Sequence, residues 1–343
     1  MRRIPAIFSA MLGMFCTALP ARSADAAPAS TKAIIAYYES SGSYAALVHY
    51  GASLNEIATD TFGVDDQGNI SGNAPKAALK LAHSKGMLTF ATVSNFGVSD
   101  FSPHIAHLVL TDQKARTHAI SGMVRLVKEY GYSGVNIDFE AVPRKDRAAF
   151  SSFVRTVSQR MHVAGYLNMV SIPAALSDNR YDSWTGAFDY KALGKSIDIF
   201  QLMTYDENGP WGPTGPVAGL DWVEACVKYA VSVVPSNKIS LGIPAYGYDW
   251  NLTAGTGVQV HWANIPALIA RTGATPQWDS ATSSPFFFYQ TEGGASHVVW
   301  YEDATSIPLK SALVVTYNLG GVSVFALGFE DQSFWDAIHA GGF

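Results

Sequence analysis

The sequence predicts an α/β chain folded as a (β/α)8 TIM barrel, with a small α+β insertion between the seventh and eighth strands. Three observations predict it. An apolar, β-branched run ending in a polar or aromatic cluster, then an amphipathic helical stretch, recurs along the chain and yields eight strand candidates. The polar and aromatic clusters gather at one end of these runs, as active-site groups do at the C-terminal ends of barrel strands. No Gly-rich phosphate loop follows the first run, which disfavours an open doubly wound sheet.

The 343-residue chain opens with Arg2 and Arg3, an apolar run over residues 4–19 and Ala24-Asp25-Ala26. That is the layout of a secretory signal peptide over residues 1–26, with the catalytic barrel over 27–343. The apolar run is short and ends in Pro20, so export is expected, with no stable membrane insertion after cleavage. An Ala/Pro/Ser linker reaches Lys32. Strands are expected at 33–38, 56–62, 87–93, 134–139, 166–172, 197–204, 238–244 and 321–326. Helices are expected at 74–85, 112–129, 147–164, 222–233 and 306–317. Gly86, Gly131 and Gly165 each fall just past a helix, where a left-handed cap is wanted. Between the seventh and eighth strands lie roughly 70 residues, about twice what a loop and helix need. The surplus, approximately 250–300, contains a helical piece at 265–271 and strand-like runs at 286–290 and 297–301, and is read as the insertion.

With 48% hydrophobic and 15% charged residues the chain can bury a large core, which excludes a disordered protein. The net charge of −5, without a Lys/Arg block, excludes nucleic acid as a partner. Cys16 leaves with the signal peptide, so Cys226 has no intramolecular partner and the fold must stand without disulfides. Cys226 sits in a helical pattern and reads as a small buried hydrophobe.

The chemistry concentrates in the fourth strand, Tyr132-Ser133-Gly134-Val135-Asn136-Ile137-Asp138-Phe139-Glu140. Strand side chains alternate, so Val135, Ile137 and Phe139 share one face and Asn136, Asp138 and Glu140 the other. Such a polar face must open onto a cavity or be fully hydrogen-bonded. The Asp138 and Glu140 Cα atoms are expected about 6.5 Å apart. Two carboxylates in one low-dielectric site cannot both ionise freely, and one becomes available as a general acid, for instance toward a glycosidic oxygen. A metal site is disfavoured, because His49, His83, His104, His107, His118 and His162 fall in helices or connecting segments.

Residues 133–140 resemble the D-G-x-D-x-D-x-E signature of glycoside hydrolase family 18, the chitinase family. Ser94-Asn95-Phe96-Gly97 resembles the family's S-x-G-G, and Gln201-Leu202-Met203-Thr204-Tyr205-Asp206 its Q-x-M-x-Y-D. The insertion is similar to the family's extra α+β domain. Within the family, residues 135–140, Met203-Thr204-Tyr205-Asp206-Glu207 with Gly209-Pro210-Trp211-Gly212, and Trp300-Tyr301-Glu302-Asp303 resemble the bacterial spore-cortex-lytic N-acetylglucosaminidases.

The resemblance implies an exported hydrolase of β-1,4-linked N-acetylglucosamine glycans, peptidoglycan or chitin, acting by substrate-assisted retaining catalysis. Glu140 would protonate the glycosidic oxygen, Asp138 would hold the acetamido N–H and stabilise the oxazolinium ion, and Tyr205 would donate to the same acetamido group. Asn136, Met203, Asp206 and Gln201 would line the subsite, joined by Tyr38, Trp300, Glu302 and Phe325 as substrate contacts. Asn136 stands where most chitinases have Asp; it can hydrogen-bond Asp138 but cannot share a proton. Ser133 replaces the first Asp of the signature, and Phe325 stands where the family usually places a Trp under the sugar. No cofactor or metal is implied, a monomer is expected, and the location is secreted or periplasmic and cell-wall associated. Two other readings are a lectin-like glycan binder without turnover, disfavoured by the presence of Glu140, and a metal-dependent deacetylase, disfavoured by the lack of histidines at the strand ends.

Overall fold

The computed structural model describes residues 32–343; the expected signal segment lies outside them. The chain runs β1 (Ala33–Tyr38), α1 (Ser41–Tyr50), β2 (Glu56–Val64), β3 (Ile70–Gly72), α2 (Lys76–Ser84), β4 (Leu88–Ser94), α3 (Pro103–Thr111), α4 (Gln113–Tyr130), β5 (Gly134–Asp138), α5 (Arg147–Val163), β6 (Leu167–Pro173), α6 (Tyr190–Gly194), β7 (Ile199–Met203), α7 (Leu220–Val233) and β8 (Ile239–Pro244). Then come β9 (Tyr246–Asn251), β10 (Thr256–His261), α8 (Ile265–Thr272), β11 (Gln277–Asp279), β12 (Ser284–Gln290) and β13 (Ser296–Trp300). The chain closes with α9 (Ser306–Ser311), α10 (Leu313–Thr316), β14 (Gly321–Phe325) and α11 (Gln332–His339).

Eight parallel strands form the barrel in the order β1-β14-β8-β7-β6-β5-β4-β2, and pairing of β1 with β2 closes it. All eight expected strands are present, with ends within two residues of expectation. The short β3 adds an antiparallel hairpin to β2 beyond the expected strands. The expected helix at 306–317 is instead α9 and α10 in succession, with Ala312 between them.

Local chemistry explains the helices. Asp112 caps α4 by accepting from the Lys114 and Ala115 N–H groups at 2.9 and 2.8 Å. Ala115, Ala119, Ile120, Met123, Leu126 and Val127 form its buried stripe, and Gly131 ends it with φ 73°. Helix α3 carries its own signal, Ser102 accepting from Ile105 N–H and Pro103 in the first turn.

The parallel register sorts each strand's residues between the barrel interior and the helices. Thr92 lies beside Asn136 and Ser94 beside Asp138; Met169 lies on Asn136's other side. The opposite faces are apolar: Val135, Ile137 and Phe139 are fully buried, and Phe139 stacks on Phe153 of α5 with centroids 5.7 Å apart.

Between β8 and α9 stands a five-stranded antiparallel sheet, β10-β9-β13-β12-β11, of which β9, β10 and β11 were not expected. One of its faces packs Phe287, Val299 and Tyr301 against Ile265 and Leu268 of α8. The other carries Tyr246, Tyr248, Trp250, Val298 and Trp300 into the main core with the barrel.

Candidate active site

Asn136 is fully buried, and its amide Nδ2 donates to Tyr37 Oη at 3.1 Å, Ser171 Oγ at 3.0 Å and Thr92 Oγ1 at 3.3 Å. None of these partners is Asp138, the one expected for Asn136. One turn of the strand pleat further on, Asp138 Oδ1 is buried without a hydrogen-bond partner among the described residues. Burial, then the charge of Asp60, holds the Asp138 carboxyl well above the usual range.

Glu140 follows the end of β5 and is fixed by its backbone. Its N–H donates to Asn95 Oδ1 at 2.9 Å, and Asn95 Nδ2 donates to its carbonyl at 2.9 Å. The next residue, Ala141, is left-handed at φ 51°, a conformation that costs a non-glycine residue about 1–2 kcal/mol and turns the chain sharply here. The Glu140 side chain is half-buried. Burial is the largest cause of its raised pKa, followed by the charges of Asp138, Asp206, Asp60 and Asp100. Glu140 thus keeps its proton far above the usual pH for a carboxyl, which is the state of a general acid.

The end of β7 supplies a second group. Met203 is half-buried on the interior face, in register with Pro173. Gln201 is fully buried below it, with Nε2 donating to Ser323 Oγ at 2.9 Å. The Tyr205 hydroxyl has its pKa raised by burial, then by Tyr37, Asp138 and Glu140, so its proton stays in place next to both carboxyls. Its ring lies against Gly242, where a Cβ would come within 2.9 Å of Tyr205 Cε1; only glycine leaves that room. Asp206 is left-handed at φ 60° and accepts from Tyr246 Oη at 2.7 Å and Tyr248 Oη at 2.8 Å through one oxygen, Oδ1. Phe325, half-buried at the end of β14, is ringed by Tyr37, Tyr205, Phe329 and Tyr246 with centroids 5.7, 6.0, 6.1 and 6.3 Å away. It therefore sits among the groups just described.

Two expected contacts are corrected. Tyr37 is the tyrosine of β1 that enters the barrel, where Asn136 donates to its hydroxyl, so Tyr38, the next residue of the strand, projects from the opposite face, away from this cluster. Glu302 is buried beneath the insertion, where Oε2 accepts from Lys310 Nζ at 2.6 Å and Ser306 Oγ at 2.5 Å. With both side chains of the Glu302–Lys310 pair enclosed, Glu302 is a scaffold residue and not a sugar contact. Trp300 lies on the barrel-facing side of the inserted sheet, stacked on Phe286 at 4.6 Å and in register with Tyr248.

The chain matches Glycosyl hydrolases family 18 over residues 29–330. It belongs to that family. This family 18 chain is 39% identical over 302 residues to the glycosylase YvbX of Bacillus subtilis (strain 168), spanning 87% of this chain and 88% of that protein. It is 29% identical to the cortical fragment-lytic enzyme of the same organism, over 74% of this chain and 60% of that one. A solved chitinase from Chromobacterium violaceum ATCC 12472 superposes with a TM-score of 0.87 at 40% identity, over 91% of this chain and 99% of that chain. The Bacillus cereus spore cortex-lytic enzyme SleL gives 0.84 at 26% identity, over 92% of this chain and 76% of that chain. The family 18 chain is a glycosidase on the family's barrel fold. No helix among its described residues is long and apolar enough to cross a membrane.

Several neighbours of the family 18 site were absent from the expected set: Tyr37, Asp60, Thr92, Asn95, Ser171, Tyr246 and Tyr248. Asn95, Tyr37, Tyr246 and Tyr248 stand in strand-end clusters visible in the sequence, and strand alternation pairs Tyr37 with the interior once one inward residue is known.

Proposed function

We propose that this glycosidase is exported and cleaves β-1,4 bonds of N-acetylglucosamine-containing glycans by substrate-assisted retaining catalysis. The observation that carries the reading is Glu140: a carboxyl clamped through its backbone by Asn95 and kept protonated by burial and surrounding carboxylates. Such a group delivers a proton to a leaving oxygen at neutral pH. Asp138 Oδ1, buried and without a donor among the described residues, offers an acceptor for the N–H of a 2-acetamido group. Tyr205, its hydroxyl held protonated beside both carboxyls, donates to the acetamido oxygen as that oxygen attacks the anomeric carbon. Asp138 then faces the oxazolinium cation, and water returns along the same path with Glu140 as base. Met203, Asp206 and Phe325 shape the floor and wall of the sugar site, with Gln201 buried beneath Met203 as support, and Trp300 the side nearest the insertion.

The relatives' names divide between two substrates: the cortical fragment-lytic enzyme and SleL are named for spore cortex, and the Chromobacterium violaceum protein for chitin, so peptidoglycan glycan and chitin are both put to the test. Export to the cell wall rests on residues 1–26, and the N-terminal mass of protein recovered from the medium or periplasm tests it. The catalytic reading is tested with Glu140→Gln on a labelled chitooligosaccharide and on purified peptidoglycan, products being read by mass spectrometry. Binding should persist while turnover falls by about 10²-fold or more, the range of a lost general acid. Wild-type turnover in that variant would sink the mechanism; binding without product in the wild type would favour a lectin-like role.

A further inference from the structure

Positive charge collects on two neighbouring helices outside the barrel. Helix α4 carries Lys114, Arg116, Arg125 and Lys128 against one acid, Glu129. Helix α5 carries Arg147, Arg155 and Arg160 and no acid. The whole chain has a net charge of −5, so the two helices oppose its overall balance. These basic residues are spaced along helices rather than set in a run, and only the fold gathers them.

Between α4 and α5 lies a cleft of about 170 Å³, lined by Arg116, Thr117 and Ser121 of the first and Thr156 and Arg160 of the second. Thr117, Ser121 and Arg160 are exposed, on the side away from the buried stripe of α4. Arg116 is half-buried, its guanidinium over the Phe153 ring at 5.4 Å from the centroid. It donates to the Leu110 and Ala149 carbonyls at 3.4 Å, and to the Ser152 and Thr156 hydroxyls at 3.2 and 3.3 Å. All four contacts are long for a charged donor, and every acceptor is neutral. They fix the guanidinium without neutralising it. Among the described residues no carboxylate pairs with Arg116, Arg155 or Arg160. Burial, then the charge of Arg155, lowers the Arg116 pKa, as befits a cation that lacks a counter-ion.

The lining has two guanidiniums, three hydroxyls and no carboxylate, so its ligand is an anion. A tetrahedral phosphate turns oxygens toward both walls at once, and both guanidinium forks can meet it. A planar carboxylate satisfies one fork and leaves the other. A lipid surface is disfavoured, because membrane-bound helices bury apolar side chains. Among the large exposed hydrophobics none belongs to α4, and α5 has only Val163 at its last residue. The same lack of exposed aromatics leaves nothing for bases to stack on, which disfavours a nucleic acid strand.

We propose that the α4–α5 cleft is a second binding site, which takes a phosphate group of a phosphodiester polymer. Arg116 and Arg160 clamp one phosphate from the two walls, and Arg155 meets the next charge along the polymer. The enzyme is thereby held by a face other than the catalytic one, and the barrel mouth stays open to its glycan.

The test is isothermal titration of the whole chain with poly(glycerol phosphate), at low and at high salt. Wild type should bind at low salt and weaken as salt rises. Arg116→Gln and Arg160→Gln should each lower affinity by about tenfold or more, the weight of a charged hydrogen bond. Arg116→Lys keeps the charge without the fork and should restore only part. Arg125→Gln removes the same charge from α4, but on the side facing Phe62 and Ile70, and should bind as wild type does. Polyglutamate of equal length should bind about tenfold more weakly than the phosphate polymer. No binding by wild type, an equal loss in Arg125→Gln or equal binding of polyglutamate would each overturn the proposal. Melting temperature shows whether Arg116→Gln still packs its helices; if it does not, the exposed Arg160→Gln decides. Turnover of a neutral chitooligosaccharide should be untouched in Arg160→Gln, so failure of this site leaves the catalytic reading standing.

Discussion

Asn95 holds Glu140 at both backbone groups, accepting from its N–H and donating to its carbonyl, each at 2.9 Å. Its Nδ2 also donates to the Ser102 carbonyl at 3.0 Å, which ties the catalytic strand end to the start of α3. The clamp leaves the Glu140 side chain free while fixing the chain that carries it.

Asn95→Ala should therefore reduce kcat more than it changes KM. The orphaned backbone groups cost about 1–3 kcal/mol each when they stay dry. A fall in kcat of about tenfold or more, with a lowered melting temperature, is expected from steady-state kinetics and thermal unfolding. Unchanged kcat would show that the loop positions Glu140 without Asn95.

Tyr37 and Tyr38 offer a matched pair. Tyr37→Phe removes the hydroxyl that meets Asn136 and Ser171 and should destabilise by ~1–2 kcal/mol in urea unfolding. Tyr38→Phe should stay within about 0.5 kcal/mol of wild type. The reverse ranking would contradict the inward placement of Tyr37.

Lys310→Met strands Glu302 in a closed space, which costs about 3–5 kcal/mol. The double variant Lys310→Met with Glu302→Gln should recover most of that. Glycan affinity of the double variant should match wild type; a weaker KM would return Glu302 to the cleft.

Glu56 lies at the N-terminal end of β2, with Oε2 buried and unpartnered among the described residues, and burial raises its pKa from 4.5 to about 7. Its folded pKa exceeds its unfolded one, so the folded chain binds more protons and loses stability as pH rises from about 4.5 to about 7. Glu56→Gln should stabilise by up to ~3 kcal/mol at pH 8 and change little at pH 4. Denaturant melts at both pH values measure this; equal effects at the two would show that ionisation is not the cause.

The barrel was legible because its strands are β-branched runs separated by helices with caps and C-terminal glycines, all local signals. The Asp138 and Glu140 constellation was legible because alternation places polar residues on one face of a single strand. What escaped reading depends on neighbours distant in the chain. The run Ala33-Ile34-Ile35-Ala36-Tyr37-Tyr38 is apolar on both faces, as parallel strands buried on both sides are, so nothing within it tells Tyr37 from Tyr38. Asp60 reads as an ordinary polar strand residue until β4 sets its register. Glu302 reads as a cleft residue until Lys310 is found beneath it. Strands β9 and β10, rich in glycine and aromatics, lack the clean alternation that marks a hairpin.

The hold of Tyr246 and Tyr248 on Asp206 has a bearing on ancestry and on grafting. Both tyrosines belong to β9, the strand that begins the inserted sheet, while Asp206 belongs to the barrel. Neither half can be exchanged by itself: a chimera given a relative's insertion without these two phenols would leave a left-handed aspartate with no tether. Barrel and insertion must be inherited together, and a successful swap would have to cut after Tyr248 rather than at the edge of the barrel.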